Sequence, residues 1–432
     1  MEKTIVAKLR QTDFTGSDSN FNSMTIIGGY LYYTLCSHNI DTCGKVYRLD
    51  LETDENVLLA DLGEITGEAG KKTIPQGKSH SPFFKIGSLI YFATHVSYYA
   101  KGEDGRESPN AVPDGYTPYT GGKFISYDDK TGRFDVLFSL PAGEGIITMQ
   151  ADEKRGLAYC LSWPSGIFYV YDINKNELYE RGRHCRGGEI GIGEDYSCIT
   201  RFFAIDPRDG AAYFTTSDGD ILEYRHETGI TETVGWAHLK KDVFGSLNPR
   251  RGGHYGYNWR HVLWDEKRQI FYCVHGKSGY LFTFDPKNKK MGIVARIASE
   301  YCLVNGVYED FRYGYMTLAY KPGDADTLYY ISGYYAFDDP TPEQARTMQQ
   351  IGDLNESAEN KGAKHYLTLV TYHIPTGKYA DHGVIKTDDG RFPVNTQSIA
   401  IDKDGRIFTC PWIPKKDAQG GPFDCQLISF TI

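Results

Sequence analysis

The chain is poor in the features that mark several common function classes. No apolar run reaches the roughly 18 residues of a membrane-spanning helix. The start, MEKTIVAKLRQTDF, has no long apolar stretch of the kind that forms a secretory leader. As given, the sequence reads as cytoplasmic, or as periplasmic or secreted if a leader has been removed. No block of Lys and Arg is long enough to track a phosphate backbone, and the formal net charge is −9, so general nucleic-acid binding is not expected. There is no GxGxxG after a strand, no Walker loop and no GxSxG elbow, which leaves nucleotide cofactors and Ser-His-Asp hydrolysis without support. Compact HxH and HExxH metal signatures are absent too. Helical periodicity is poor, apart from one short capped stretch in PTPEQARTMQQIGDLNESAENK.

The 9 cysteines include no CxxC pair, and several sit in apolar runs such as YCLSW and FYCV. They read as buried thiols in a reducing compartment, with a Cys36–Cys43 disulfide across SHNIDT as the alternative.

What is abundant is glycine, 47 residues, and tyrosine, 33. They fall into a recurring pattern of strands. One copy reads ITMQADEKRGLAYCLSWPSGIFYVYDINKNELYERG, another RFFAIDPRDGAAYFTTSDGDILEYRHETGITETV, and a third RHVLWDEKRQIFYCVHGKSGYLFTFDPKNKKMGIVARI. SIAIDKDGRIFTCPWI opens the last. DEKR, DPRDG and DKDG supply tight reversals, and the runs between them favour β-branched and aromatic residues. The third strands of the copies end near Asp50, Asp128, Asp172, Tyr224, Asp285, Tyr372 and Phe430. Seven such units predict an all-β, seven-bladed β-propeller spanning 1–432 as one domain. Insertions are expected near 98–120 and 335–364. KTIVAKL at the start is a spare strand expected to complete the last blade and remove its open edge.

In a propeller, polar lead-ins from several blades converge on a central funnel, which is the default ligand site. GKSHSPFFKIGSLIYFATH places His80 before one strand and His95 after the next, so both fall at the same end of a hairpin. Ser79 flanks the first histidine. Tyr159, Trp163 and Tyr171 belong to the third unit, where most tyrosines serve packing. Arg183 lies in the basic loop ERGRHCRGGE, and Arg201 precedes an inner strand, where a planar guanidinium suits a carboxylate. NPRRGGHYGYNWRHVLWD concentrates His254, Tyr257, Asn258 and Arg260 at the entry to the fifth unit, and FPVNTQSIA brings Asn395 to the seventh.

GKSHSPFF, FATH, the WPSG–FYVYD strand pair and NWRHVLWD together resemble the seven-bladed propeller polysaccharide lyases, the ulvan lyase families in particular, and more distantly the oligogalacturonate lyases. That resemblance implies β-elimination on a uronate-containing acidic glycan, with histidines, a tyrosine and an arginine around the central cleft. By it, His80 and His95 match the paired histidines of the second blade, Tyr159 the tyrosine and His254 the later histidine. The arginine falls between Arg183 and Arg201, and Arg201 joins the catalytic set. Ser79, Trp163, Arg183, Tyr257, Asn258, Arg260 and Asn395 are then expected to bind substrate. The expected partner is an acidic poly- or oligosaccharide taken by a monomer, with no nucleic acid and no membrane. The elimination requires no cofactor. Zn, Mn or Ca is compatible with it, and His80, His95 and His254 are the side chains that could meet around Zn²⁺ or Mn²⁺. Two other readings stand beside this one: a non-catalytic glycan-binding or interaction propeller, and a metal-dependent oligogalacturonate lyase.

Overall fold

The computed structural model describes residues 3–98, 100–101, 107–108, 111–184, 199–244, 258–276, 279–296, 298–305, 317–336, 364–416 and 423–432. Among the described residues the chain is almost entirely β, with helices limited to Leu62–Ile65, Glu300–Asn305 and a 3-10 turn at Asp242–Phe244. None is long and apolar enough to cross a membrane. The helical stretch expected within 340–361 lies outside the described residues. In the 98–120 region, Ala100–Lys101 and Glu107–Ser108 pair as a short ribbon.

Five separate four-stranded sheets follow one another along the chain, and their strands run in sequence order from the first to the fourth. The first strands stand side by side around a ring. Met24–Ile27 neighbours Phe84–Ile86; Gly145–Asp152 neighbours Ala204–Ile205, which neighbours Trp259–Asp265; Leu318–Tyr320 and Ala400–Ile401 follow, and the last returns to Met24–Ile27. The arrangement is propeller-like.

The expectation of seven separate blades, with the N-terminal strand closing the last, is corrected by the remaining strands. They form one continuous eight-stranded sheet, not two blades. The cause is Thr4–Arg10, which pairs along both of its edges. Thr4 to Ala7 run parallel to Val384 to Thr387, and Lys8 to Arg10 run antiparallel to Ser429, Ile428 and Leu427. Gly383, at φ +103°, allows this junction, because a Cβ there would overlap the Lys3 carbonyl. The edge strands of this sheet, Leu318–Tyr320 and Ala400–Ile401, lie close together, so the sheet is nearly closed.

The apolar cores sit between neighbouring sheets, which accounts for the aromatic content. Phe84, Tyr91 and Phe124 of the second sheet pack with Tyr169 and Tyr171 of the third. Phe168 of the third packs with Phe214 and Tyr224 of the fourth. The alternative of a Cys36–Cys43 disulfide is not realised. Both are free thiols, as are Cys160, Cys273, Cys410 and Cys425, and Cys36 is buried against the Ser79 carbonyl.

The repeated DEKR, DPRD and DKDGR turns do more than reverse the chain. In each, a buried Asp accepts from the backbone and the guanidinium of a following Arg: Asp152 with Arg155, Asp206 with Arg208, Asp265 with Arg268 and Asp402 with Arg406. The same arginine then donates to a carbonyl in the next unit around the ring. Arg155 reaches Arg208 O, Arg208 reaches Gln269 O, Arg268 reaches Ala325 O and Arg406 reaches Leu51 O. Removing one such arginine leaves a buried carboxylate without its partner, a change that costs about 3–5 kcal/mol. Arg268→Ala should therefore lower unfolding free energy by about that amount in urea titration. A loss below about 1 kcal/mol, the scale of an exposed pair, would show that the clasp is only decorative.

Candidate active site

Three of the first strands are entered through described lead-ins at the end of the ring opposite the Asp–Arg turns. Phe21 lies three residues before Met24–Ile27, His80 four before Phe84–Ile86 and Arg201 three before Ala204–Ile205. The ring closure gathers these offsets in one place.

Lys78 and His95 hold each other through a two-way backbone bridge: Lys78 N donates to His95 O at 3.2 Å and His95 N to Lys78 O at 2.8 Å. The His80 ring stacks on Phe21, with centroids 4.3 Å apart and an interplanar angle of 8°. His95 meets His80 edge-on at 4.7 Å and faces Trp163 on its other side at 5.7 Å. The Lys78 ammonium lies 5.0 Å from the centre of the Phe21 ring. Gly145 makes room for the second histidine, since a Cβ there would overlap His95 Nδ1. Arg201 is anchored through its backbone, whose carbonyl accepts from Thr148 Oγ1 at 2.8 Å. His80 is 8% exposed, Arg201 5%, Lys78 4% and His95 1%, so the group is almost withdrawn from water.

Its electrostatics are one-sided. Burial holds the His80 imidazole well below the ordinary histidine value, and His95, Lys78, Arg201 and His38 push it further the same way. His95 is lowered by burial first, and then by Lys78, Arg201 and His38. Among the described residues, the charged groups that act on the two rings are chiefly Lys78 and Arg201. Both imidazoles are therefore neutral at pH 7, in a field that favours an incoming anion. Among the described residues, the buried His80 Nε2 atom has no hydrogen-bond partner. His38, at the edge, is paired with Asp18 at 2.7 Å.

The other sequence-derived candidates are dispersed. Ser79 is fully buried and lies behind the histidines, bonded to Ser23 Oγ at 3.1 Å. Tyr159 is enclosed in the core between the third and fourth sheets by Phe168, Phe203 and Tyr224. Its hydroxyl donates to Gly210 O at 3.4 Å, and burial drives its pKa far above the ordinary tyrosine value. A group so placed packs the third and fourth sheets together, in place of the catalytic part expected of it. Arg183 is exposed at the end of Glu177–Arg183, the outermost strand of the third sheet, away from the ring of first strands. Trp163 stands against His95 as described. Asn258 is buried and bonded to Ile199 O, and Arg260 is buried in the first strand of the fifth sheet. Asn395, in the lead-in to Ala400–Ile401, donates from its backbone to His365 Nδ1 at 3.3 Å. His254 and Tyr257 lie outside the described residues. Sequence reading missed Lys78 and Phe21. Lys78 had a legible signal: it is two residues before His80 in an extended segment, where alternate side chains share a face.

Among the described residues, no group of three or more His, Cys, Asp or Glu side chains could hold a metal ion.

No family model matches the sequence, and no curated protein matches it. Similar folds occur among solved structures. "Oligogalacturonate lyase in complex with manganese" superposes with a TM-score of 0.50 at 11% identity, covering 100% of this chain and 98% of that one. A chain of "Crystal Structure of Mitotic Checkpoint Complex" gives the same TM-score of 0.50 and 11% identity, covering 99% and 93%. At this identity the likeness is one of fold, and that fold serves an enzyme in one case and an assembly in the other.

The lowered imidazoles make stability depend on pH. Above about 6.5 each ring is neutral both folded and unfolded, and no penalty arises. Below it the unfolded chain takes up protons that the folded chain refuses, so stability falls as pH drops, by up to about 1.4 kcal/mol per pH unit for each histidine. Denaturation midpoints measured from pH 7.5 to 5 should show this fall, and it should be shallower in His95→Asn. An unchanged slope in that variant would mean that His95 is solvated.

Proposed function

We propose that this chain is a lyase that cleaves a uronate-containing acidic glycan by β-elimination at the His80–His95 cluster. The observation that carries the reading is a buried neutral imidazole with an unpartnered Nε2, set beside Lys78 and Arg201.

Elimination makes three chemical demands. The C5 proton must go to a base, the carboxylate next to C5 must tolerate growing negative charge, and the oxygen on C4 must leave with the bonding electron pair. Lys78 and Arg201 suit the second demand, because charge-assisted bonds to a carboxylate strengthen as its charge grows in a nearly dry site. His80 suits the first. Its pKa is low in the empty site, and a bound carboxylate would offset the cationic field, raising its proton affinity while the proton moves. The C5–H pair forms the C4–C5 double bond as the C4–O bond breaks. The resulting imidazolium is the acid at hand for the departing oxygen. His95 meets His80 edge-on, and the partly exposed Trp163 gives an apolar face for a sugar ring. Tyr159 takes no part. The oligogalacturonate lyase of similar fold is a manganese complex, whereas this elimination runs through protein groups alone.

Ulvan, oligogalacturonate and other uronate polymers, with and without added Mn²⁺, should be assayed by the ultraviolet absorbance of the unsaturated product. Turnover of at least one polymer is expected. Arg201→Ala and Lys78→Ala should each lose about 10²–10³-fold in kcat, the scale of one charge-stabilising donor. Glycan binding without product across the panel, undisturbed in His80→Ala, would instead favour a binding propeller.

A further inference from the structure

Gln76 lies two residues before Lys78 in the same lead-in, and its side chain is completely buried. Its carboxamide joins several segments. The oxygen accepts from Thr94 Oγ1 and from the Tyr119 hydroxyl, each at 2.7 Å. The nitrogen donates to Glu68 Oε1 at 3.2 Å and to Gly121 O at 3.1 Å. An ionised carboxylate only accepts, so Glu68 fixes which end of the amide faces which partner.

The backbone around Gln76 is equally constrained. Its carbonyl accepts from Gly44 N at 3.0 Å, and the Gly77 carbonyl accepts from Ser37 N at 3.0 Å. A Cβ at Gly77 would overlap the Ser97 side chain, so only glycine passes there. Thr94 is pinned on its other side, where its Oγ1 also accepts from Lys123 N at 2.8 Å. Lys78 follows Gln76 by two residues, and His95 follows Thr94 by one.

A leucine would fill a similar volume without the desolvation cost of a buried amide. The polar side chain is therefore explained by what it holds in place. We infer that Gln76 is a positioning residue for the proposed elimination: it sets Lys78 and His95 relative to each other, one through its own backbone and the other through Thr94. As a statement about reaction, this rests on the lyase reading. As a statement about geometry, it does not.

Gln76→Leu and the near-isosteric Gln76→Glu test it. Glu68, paired with Lys123, faces the amide nitrogen, the Tyr119 hydroxyl faces the amide oxygen, and the Cys43 thiol, pushed up to about 12 by burial, lies against the Gln76 backbone. An ionised glutamate at 76 would oppose Glu68. A protonated one keeps the acceptor and the donor toward Glu68, losing only the bond to Gly121 O, and two facing carboxyls share a proton readily. In Gln76→Leu, kcat should fall at least about tenfold while KM changes less than about threefold, because the charges remain but their geometry is lost. Gln76→Glu should match that loss at alkaline pH and recover as pH is lowered. Independently of turnover, the imidazole ¹H–¹⁵N shifts of His95 should move in both variants. Unchanged His95 shifts, or a wild-type kcat in folded Gln76→Leu, would overturn the inference. If Gln76→Leu does not fold, Gln76→Glu carries the same test. A wild-type protein that turns over no glycan sinks the lyase reading alone, and the shifts still decide the geometry.

Discussion

The structure depends on a repeated ionic clasp. At one end of the ring, an aspartate buried in a tight turn holds an arginine, and that arginine reaches forward to a carbonyl of the next unit. Each clasp satisfies a buried carboxylate, orders a reversal and sets the angle to the neighbouring sheet. Because the first strands start at the opposite end, fixing the turns also fixes where the lead-ins arrive. Residues as remote in sequence as Phe21, His80 and Arg201 thereby meet.

The consequence for chemistry is a concentration of like charge away from water. Isolated in a protein interior, such a cluster is unfavourable, and here it survives because the histidines give up their protons. Two neutral imidazoles beside a lysine and an arginine make a site that is poor for cations and receptive to anions. That asymmetry, more than fold likeness at 11% identity, is what supports the functional reading.

Much of this could be read from the residues, and the failures have physical causes. The alternation of apolar and polar residues, with DEKR-type turns, made the strands and their repetition plain. The turns were visible as reversals but not as links between units, since the carbonyl each arginine reaches lies in another repeat. KTIVAKL was recognisable as a strand seeking partners. That it would pair on both edges and fuse two expected blades depends on the close approach at Gly383, which the sequence does not advertise. His80 and His95 were placed at one end of a hairpin by simple counting. Tyr159 was misjudged because a strand tyrosine looks the same whether its hydroxyl reaches a cleft or a neighbouring sheet. Phe21 escaped notice because its ring matters only through stacking on a histidine from another unit.

The most direct measurement is a crystal structure of the protein with an acidic tetrasaccharide bound in a slow variant such as His80→Gln. The account predicts a uronate carboxylate gripped by Lys78 and Arg201, with C5 about 3 Å from the position of the replaced imidazole nitrogen. A saccharide seated elsewhere on the ring, or one whose carboxylate points away from both cations, would contradict it.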